Sequence, residues 1–466
     1  MEHDGDSLLI SAIMVWKVPE ALREVALNLD EWHTEHELLN GVASDRIIAV
    51  LSGLRRWSAG GTVIQELRDS SGLPLIRVRQ VDGTLLQDAR ERHGRVRLSR
   101  FTVMRQEGNE LVIEQPASNT VVYCIDPRVA MLAARLAAGA SVTELHDLGL
   151  DAEDVARIIA CFVVGEIAQE VNSEGHLAEE GDPRLRPWAW HDVAVHFRSR
   201  RGKHRYSAHG SYHLSEKQAP EPGLKAPMSS SVITLPVVDI DALRATDASL
   251  TSVIEDRFAG RDYSEQPLTL EQLSELLFRS SRVRWFSGQA EDLPYDHTSR
   301  PYPTGGATYD LELYITIAKC AGIESGFYHY DPDNHALEFL SPPSTATEQL
   351  LTDAHNATAG LASPQVLITV ASRFARISWK YEGMAYATTL RNVGVFYQTI
   401  WLIATAMGIS CCPLGGGDTA AFAAASGLDP MLESNVGEVC LGAMSADGAR
   451  GNRALTARQG AWSKRA

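Results

Sequence analysis

The amino-acid sequence predicts an α+β protein of roughly three domains. The chain has 466 residues, which at about 150 residues per domain is enough for several separate hydrophobic cores. Hydrophobic residues make up 44% of the chain and charged residues 22%, as in ordinary globular proteins, so a disordered or fibrous class is excluded. Strand-like and helix-like runs occur in both halves of the chain, which favours a mixed architecture.

The charge balance limits the classes of partner. Lys and Arg number 43 against 59 Asp and Glu, a formal net charge of −16, and such a chain repels phosphate backbones and anionic lipids. The N-terminus is acidic where a secretory signal needs positive charge, and Gln398 and Thr399 interrupt the longest apolar run, residues 393–409, which we interpret as a core helix. We therefore expect a soluble, cytoplasmic protein that binds neither nucleic acid nor membrane.

The cysteines indicate neither a disulfide framework nor a zinc site, because none of them belongs to a CxxC pair. Such sparse cysteine usage fits a reducing compartment, and we expect no metal ion. The six residues are Cys124, Cys161, Cys320, Cys411, Cys412 and Cys440.

Residues 96–180 are predicted to form a small domain in which strands precede helices. The predicted strands are residues 101–105, 111–115 and 120–125, and the predicted helices are residues 127–138 and 151–164. A capping box, Ser141 to Glu144, lies between the helices, and the chain is expected to return to a strand after Gly165. This order of elements resembles a winged helix.

The candidate recognition helix of this domain is acidic, which argues against DNA binding. The segment 151–168 has three acidic residues, Glu153, Asp154 and Glu166, and one basic residue, Arg157. A recognition helix instead needs basic side chains that reach base edges. We therefore expect a peptide-docking or partner-docking unit. Residues 1–95 contain either a first winged-helix-like unit or an unassigned segment, because the short match of Asp45–Ala49 to Ala156–Ala160 is either a duplication or a coincidence.

Residues 181–231 are predicted to connect this unit to a C-terminal domain, residues 232–466. Trp188 and Trp190 precede a basic run that ends at Arg205, and this segment is either a docking element with solvated cations or a wall of an active site. Residues 215–231 are rich in Pro, Ser and Gly, which is typical of a semi-rigid linker.

Two segments of the C-terminal domain could receive a flat phosphorylated ligand. Arg257 and Arg261 stand near a predicted helix end, and their forked donors suit a phosphate group, although ordinary surface arginines have the same spacing. In the segment 299–309, Gly305 and Gly306 remove side chains, so the backbone could approach a ligand closely or form a tight turn before a strand. The segment is neither a Walker A loop nor a GxGxxG motif.

Lys380 and Tyr381 are the candidate acid-base residues. An ammonium next to a phenol lowers the phenol pKa, and burial lowers the pKa of a lysine. Adjacent residues of a helix point about 100° apart, so both reach one site only near a helix end. Alone, the pair could equally be a core tyrosine beside a solvated lysine.

Several motifs together resemble the SagB-type dehydrogenase family, flavin enzymes of the nitroreductase superfamily. The resemblance covers about residues 232–443 and is strongest in WKYEGMAY, LRNVGVFYQT and LGGGD. Upstream, RFTVMRQEGNELVIEQP and WAWHDVAVHFRSRRGKH also resemble the family. The implied fold is a nitroreductase-like domain, a central mixed sheet flanked by helices, preceded by one or more winged-helix-like units.

The resemblance implies FMN-dependent oxidation of thiazoline or oxazoline rings in a ribosomal precursor peptide, with oxygen as the final acceptor. It assigns proton abstraction to Lys380 and Tyr381, and it implies a cyclodehydratase partner and a homodimer. The implied FMN contacts are Arg257, Phe258, Ala259, Arg261, Pro303, Thr304, Gly305, Gly306, Leu414, Gly415 and Gly416.

One departure from the family pattern concerns the phosphate contact. The superfamily commonly has an RRSxR pattern, but Phe258 and Ala259 occupy its second and third positions here, so fewer side chains are expected at the phosphate. Two rival functions fit the same residues: a general NAD(P)H nitroreductase, in which Lys380 and Tyr381 would have no role, and an inactive flavin-binding scaffold of a cyclodehydratase complex.

Overall fold

The chain divides into two compact units in the computed structural model. Unit 1 is Met1–Arg205 and unit 2 is Tyr206–Ala466. The structure describes residues 2–4, 7–11, 14–17, 42–59, 64–80, 94–200, 210–288, 293–361 and 363–446. The end of the predicted basic run, residues 201–205, lies outside these ranges.

Unit 1 combines several antiparallel sheets with short helices. Its strands are β1 (Glu2–Asp4), β2 (Ser7–Ser11), β3 (Met14–Lys17), β4 (Ile64–Arg68), β5 (Pro74–Gln80), β6 (Val96–Leu98), β7 (Val103–Glu107), β8 (Glu110–Glu114), β9 (Thr120–Cys124) and β10 (Ala168–Glu170). Its helices are α1 (Ile47–Ala59), α2 (Pro127–Leu136), α3 (Ala152–Val164), α4 (Ala178–Gly181) and α5 (Trp190–Arg198), with a 3₁₀ helix at Val142–Leu148.

The structure confirms the predicted strands and helices between residues 101 and 164. Strands β7 and β8 pair as an antiparallel hairpin, and β9 pairs with β8. Helix α2 begins after Asp126, whose side chain accepts a hydrogen bond from the amide of Arg128, and Ser141 and Glu144 form the capping box of the 3₁₀ helix. These local signals acted as expected because caps satisfy backbone groups that a helix end leaves unpaired.

The winged-helix interpretation of unit 1 is not confirmed. The main sheet has the order β4-β5-β9-β8-β7, so strands from before residue 95 pair directly with β9. A short 3₁₀ helix lies between α2 and α3, and β10 returns to pair with β6. One hydrophobic core joins this sheet to the helices, and its fully buried members include Ile76, Val78, Val122, Leu132, Leu136, Ile158 and Phe162.

A seven-stranded sheet organises unit 2. Its strands are β11 (Val232–Thr234), β14 (Leu311–Ile317), β15 (Gly326–Asp331), β16 (Ala336–Ser341), β17 (Val366–Arg373), β18 (Ile409–Leu414) and β19 (Glu433–Ala443), and a separate pair is β12 (Trp285–Phe286) with β13 (Thr298–Ser299). The helices are α6 (Ile240–Thr246), α7 (Leu250–Asp256), α8 (Leu270–Ser281), α9 (Thr345–Ala357), α10 (Phe374–Ser378), α11 (Ala385–Ala406) and α12 (Thr419–Ser426), with a 3₁₀ helix at Gly305–Ala307.

The sheet of unit 2 is antiparallel, which corrects the expected mixed sheet. Its order is β11-β16-β15-β14-β17-β19-β18, and each pairing between these described strands is antiparallel. Strands β14, β15 and β16 are antiparallel because short connections join them in sequence, and a short connection between neighbouring strands reverses the chain direction. Strands β15 and β16 form a hairpin.

Helices cover both faces of this sheet. Strand β14 is buried along its whole length, and successive side chains point to opposite faces. Leu313 and Ile315 face a core shared with α8 and α11, whereas Tyr314 faces a core shared with α9 and α12. Helix α11 is the predicted core helix, and none of the helices in the described ranges combines the length and apolar character of a membrane span.

The predicted linker is bonded to unit 2 instead of running free. We call residues 210–225 the strap. Its amide at Ser211 donates to Lys380 O over 2.9 Å, its carbonyl at Gln218 accepts from Trp379 Nε1 over 2.9 Å, and its carbonyl at Pro222 accepts from Arg373 Nη1 over 2.7 Å. Composition predicted the absence of regular structure but not these contacts, because the donors lie far away in the sequence.

A buried carboxylate fixes the segment that precedes β14. Asp310 is fully buried; its oxygens accept from Ser372 Oγ at 2.8 Å, Thr389 Oγ1 at 2.9 Å and Asn392 Nδ2 at 2.7 Å. The amide oxygen of Asn392 in turn accepts from Gly305 N at 2.9 Å. One carboxylate thereby ties the loop before β14 to β17 and α11.

We expect Asp310→Ala to destabilise unit 2 strongly. Three buried donors would lose their acceptor, so the free energy of unfolding should fall by about 3 kcal/mol or more, whereas Ser372→Ala, which removes one donor, should cost about 1 kcal/mol. Urea denaturation of the full chain, followed by circular dichroism, measures both. A cost for Asp310→Ala no larger than that for Ser372→Ala would contradict the role given to this carboxylate.

Candidate functional site

A glycine loop provides a backbone surface that no other residue type would allow. Gly306 has φ of 63°, in the left-handed region that favours glycine, and a Cβ there would collide with Tyr381 Oη and lie 2.8 Å from Lys380 Nζ. A Cβ on Gly305 would collide with Thr388. The sequence predicted that the backbone of these two glycines could lie close to another group. In the structure, the groups that lie close to it are side chains of the same chain.

Pro303 and Thr304 lead into this loop without the same close contacts. Pro303 is exposed. Thr304 Oγ1 accepts a hydrogen bond from Tyr309 N over 3.1 Å and so closes the loop on itself. The segment is consequently a fixed turn whose outer edge faces solvent.

Lys380 and Tyr381 both reach Gly306, as the sequence predicted for a pair at a helix end. They follow α10, and the amide of Tyr381 still donates to Ile377 O over 3.0 Å. Lys380 Nζ donates to Gly306 O over 3.1 Å, and its distance to the centre of the Tyr381 ring is 5.6 Å. The two side chains therefore lie on one small surface beside the loop.

The expected direction of the Tyr381 pKa is wrong. Burial raises the pKa of the Tyr381 hydroxyl above its ordinary value, and the nearby Lys380 ammonium offsets only part of this rise. Sequence reasoning considered the adjacent charge but had no measure of the burial that the fold imposes. The phenolate is thus harder to form than the Lys-Tyr spacing alone indicated.

Tyr295, which the sequence did not predict as a site residue, is a hydrogen-bond partner of Lys380. Lys380 Nζ donates to Tyr295 Oη over 2.9 Å, and Tyr295 Oη donates to Gly306 O over 3.0 Å. No local pattern signals this contact, since 85 positions separate the two residues. We call Tyr295, Gly305, Gly306, Lys380 and Tyr381 the glycine-loop cluster.

Arg257 and Arg261 lie in a second group, which we call the arginine cluster (residues 257–261 and Leu414). The guanidinium of Arg257 stacks on the ring of Trp401, 4.2 Å from its centre, and Arg261 Nε donates to Cys412 Sγ over 3.4 Å. Within the described ranges neither arginine has an ion pair with a carboxylate. Two cations without anionic partners could bind a phosphate group.

The remaining members of the arginine cluster contribute backbone and packing contacts. Phe258 O accepts from Trp401 Nε1 over 2.8 Å, and Ala259 packs against a core that contains Leu414. Leu414 O accepts from Tyr397 Oη over 2.5 Å. Gly415 and Gly416 extend beyond this point into open space, since a Cβ on either would meet nothing within 4 Å.

Helix α11 separates the two clusters. Thr388 and Asn392 meet the glycine loop, whereas Tyr397 and Trp401 bond to the arginine cluster. At about 100° per residue the two pairs point roughly 180° apart around the helix axis. The structure therefore assembles the predicted residues into two groups, one on each side of α11.

The exposed face of α11 lies between these groups. Leu390 is 43% exposed and Val395 is 37% exposed, and a Cβ on Gly394 would meet nothing within 4 Å. On the helical wheel all three fall in the arc from the arginine cluster to the glycine-loop cluster. Arg391 and Gln398 are also exposed in this arc, so an uncovered strip that mixes apolar and polar side chains connects the two halves of the candidate site.

Two histidines of unit 2, His329 and His335, have structural partners. His329 lies between Glu338, at 2.8 Å, and Glu312, at 3.4 Å, and His335 bonds to Ser274 and Tyr330. Among the described residues, no three His, Cys, Asp or Glu side chains lie close enough together to hold a metal ion.

Two family models match the chain. Residues 96–205 match the model described as cyanobactin oxidase ThcOx, and residues 254–443 match the nitroreductase family model. The second match contains both clusters and α11. We call the residues that match this model, 254–443, the nitroreductase domain.

Two relatives match parts of this chain. The putative nitroreductase MJ1384 of Methanocaldococcus jannaschii is 29% identical over 169 residues, 36% of this chain and 79% of that protein. The microcin B17-processing protein McbC of Escherichia coli is 31% identical over 121 residues, 24% of this chain and 42% of that protein. The chain thus spans less than half of McbC.

One solved structure among the matches is the E. coli microcin synthetase McbBCD complex with truncated pro-MccB17 bound. A chain of that complex is 22% identical to this protein with a TM-score of 0.35, and the match covers 51% of this chain and 84% of that chain.

Glu438 is a buried carboxyl beneath the loop that follows β18 in the nitroreductase domain. Its amide donates to Tyr397 Oη over 2.7 Å, and its Oε1 is buried without a hydrogen-bond partner among the described residues. Burial, with smaller contributions from Asp353 and Asp418, raises the pKa of Glu438 to about 7. This carboxyl therefore changes its charge near neutral pH.

We expect Glu438→Gln to stabilise the protein at alkaline pH. The folded state holds the proton more tightly than the unfolded state does, so stability falls as pH rises from the ordinary pKa of 4.5 to about 7. Removing this charge should add up to about 3 kcal/mol to the free energy of unfolding near pH 8 and little near pH 5.

Urea denaturation at both pH values tests this expectation. Glu324→Gln, which changes an exposed glutamate, is the matched control and should show no pH-dependent gain. If the Glu438→Gln and wild-type proteins were equally stable near pH 8, ionisation of the buried carboxyl would cost no stability, and the expectation would be wrong.

Proposed function

We propose that this protein is an FMN-dependent dehydrogenase that oxidises thiazoline or oxazoline rings of a ribosomal precursor peptide to thiazoles or oxazoles. The observation that carries the proposal is the Lys380-Tyr381 pair beside the backbone of Gly306. The nitroreductase and cyanobactin oxidase matches support the reaction class. The relative McbC, a microcin-processing protein, supports a peptide substrate.

The residues of both clusters fit FMN. Arg257 and Arg261, without carboxylate partners in the described ranges, suit its phosphate, and the Phe258-Ala259 backbone lies beside them. The Pro303–Gly306 loop offers a flat, side-chain-poor edge for the ring system, and Leu414 to Gly416 offer a second edge. When bound, FMN accepts a hydride at N5 and passes the electrons to oxygen.

The protein's own task is to remove a proton from the azoline. Oxidation takes a hydride from one ring carbon and a proton from the carbon next to a carbonyl group, and oxygen becomes hydrogen peroxide. We assign the proton to Tyr381 Oη, because Lys380 Nζ is already engaged by two acceptors. The positive charge of Lys380 favours the phenolate that burial disfavours.

We further propose that two copies of the chain complete each site. The arginine cluster and the glycine-loop cluster lie on opposite sides of α11, and the exposed strip of Leu390, Gly394 and Val395 lies between them. A second copy that packs on this strip would bring its own glycine-loop cluster towards the arginine cluster of the first and would bury the apolar side chains. The alternative is one flavin lying across the uncovered face of a single α11.

The function requires two further partners. One is the azoline-containing precursor peptide, and the other is the cyclodehydratase that forms the azolines. We assign their docking to unit 1, on the basis of the cyanobactin oxidase match over residues 96–205. Acidic net charge disfavours capture of an acidic leader by charge alone.

We expect Tyr381→Phe to lower azoline oxidation at least about 100-fold while FMN remains bound, because the variant lacks the group that accepts the proton. Lys380→Met should retain some turnover that increases at higher pH, since loss of the ammonium raises the Tyr381 pKa further. Mass spectrometry of the peptide, which loses two hydrogen atoms per ring, and the flavin absorption spectrum measure both quantities.

Tyr386→Phe is the matched control for this substitution, since Tyr386 is a half-exposed tyrosine five positions away and should leave turnover unchanged. Normal azole formation by FMN-loaded Tyr381→Phe would refute its role. Rapid NADPH-driven reduction of a nitroarene with no azoline oxidation by the wild type would instead identify a general nitroreductase.

We expect two inactive variants to restore activity when they form mixed dimers. A copy with Arg257→Ala and Arg261→Ala lacks the phosphate contact, and a copy with Tyr381→Phe lacks the base. If each site draws on two copies, every mixed dimer has one intact site, so random mixing should recover about one quarter of wild-type activity.

Co-expression of the two chains in equal amounts, followed by purification of the whole mixture and assay, makes this measurement. Pairing the Arg257→Ala copy with an Arg261→Ala copy is the control and should recover nothing, since both defects lie in the same cluster. No recovery in the first mixture would show that one chain supplies both clusters.

A further inference from the structure

Tyr295, Lys380 and Gly306 form a closed set of hydrogen bonds. Lys380 Nζ donates to Tyr295 Oη over 2.9 Å and to Gly306 O over 3.1 Å. Tyr295 Oη donates its own hydrogen to Gly306 O over 3.0 Å. Each donor has an acceptor, so the ammonium of Lys380 is held at two fixed points.

The ring of Tyr295 is itself clamped, which fixes the position of its hydroxyl. Tyr295 is only 6% exposed; His297 stacks on the ring with centroids 4.4 Å apart and an interplanar angle of 27°. The guanidinium of Arg376 lies 4.9 Å from the ring centre, and Trp379 meets the ring edge at 5.9 Å.

Arg376 is the most firmly held part of this clamp. Its side chain is fully buried and pairs with Asp296 at 2.8 Å, and its Nε donates to Thr308 O over 2.9 Å. These contacts connect the clamp to the loop before β14. The hydroxyl of Tyr295 therefore has little freedom to leave Lys380.

The hydroxyl of Tyr381, in contrast to that of Tyr295, is not held by hydrogen bonds within the described residues. It lies against Gly306. A tyrosine hydroxyl can both donate and accept, so Tyr381 Oη keeps its full capacity for a ligand. The two tyrosines near Lys380 thus differ in role: one is bonded to the lysine, and the other is available.

We propose that Tyr295 is a positioning residue for the Lys380-Tyr381 pair. With the Gly306 carbonyl it holds the Lys380 ammonium beside Tyr381, and Tyr381 Oη is left to contact the substrate. The proposal rests on the proposed function for its kinetic consequence, but the lysine-tyrosine contact can be tested without substrate.

The test is Tyr295→Phe in the FMN-loaded full chain. The variant keeps the ring that packs on His297 and Arg376 and removes only the hydroxyl. Lys380 should then react about threefold faster or more with trace acetic anhydride, because loss of this hydrogen bond leaves the amine less constrained and more accessible to the reagent. Mass spectrometry reports this rate relative to Lys319, a surface lysine that bonds to Glu265 O.

The kinetic readout separates positioning from binding. Azoline oxidation should lose about 10-fold to 100-fold in kcat, the effect of one hydrogen bond to a charged group, with KM and FMN content nearly unchanged. Tyr328→Phe is the control: it removes a hydroxyl from another buried tyrosine, one that donates to Glu324 O over 2.9 Å, and should change neither readout.

The outcomes distinguish this proposal from the proposed function. Unchanged labelling of Lys380 in Tyr295→Phe overturns the positioning role, and so does an unchanged kcat in a protein that oxidises azolines. In the wild type, slower labelling of Lys380 than of Lys319 supports the contact without any variant, and faster labelling contradicts it. A wild type without azoline oxidation refutes the proposed function and leaves the labelling test intact.

Discussion

The carboxylate of Asp310 is the constraint on which the candidate site depends. It is buried and accepts hydrogen bonds from β17 and α11, so the loop before β14 cannot move independently of the sheet or of the central helix. Through Asn392 it also fixes the amide of Gly305. The next carbonyl, that of Gly306, receives Lys380 and Tyr295. A single buried carboxyl group thus aligns the backbone against which the proposed acid-base residues lie.

The strap adds a second constraint on the same residues. It bonds to the carbonyl of Lys380, to the side chain of Arg373 at the end of β17, and to the side chain of Trp379. The Lys380-Tyr381 pair is consequently held from two directions, by the glycine loop on its side-chain side and by the strap on its backbone side. Such rigid support is what a proton-transfer pair requires, because small displacements of reacting groups cost much of the rate.

The sequence predicted those features that depend on neighbouring residues. The capping box of Ser141 and Glu144 and the core helix α11 follow local rules, and Lys380 and Tyr381 follow the end of α10, where the sequence allowed both to reach one site. The features that could not be predicted join distant residues.

Tyr295 bonds to Lys380 and Asp310 bonds to Asn392 across more than eighty positions, and the strap has the composition of a linker. The rise in the Tyr381 pKa depends on burial, which only the fold determines. The separation of the arginine cluster from the glycine-loop cluster likewise depends on the position of α11 between them.

The most direct test of the account is a crystal structure of the FMN-loaded protein. We predict two copies related by a twofold axis, with the phosphate of each FMN bonded to Arg257 and Arg261 of one copy and the ring against Gly305, Gly306 and Lys380 of the other. A flavin whose phosphate and ring contact a single chain would contradict the shared site. A flavin bound away from both clusters would contradict the assignment of the site itself.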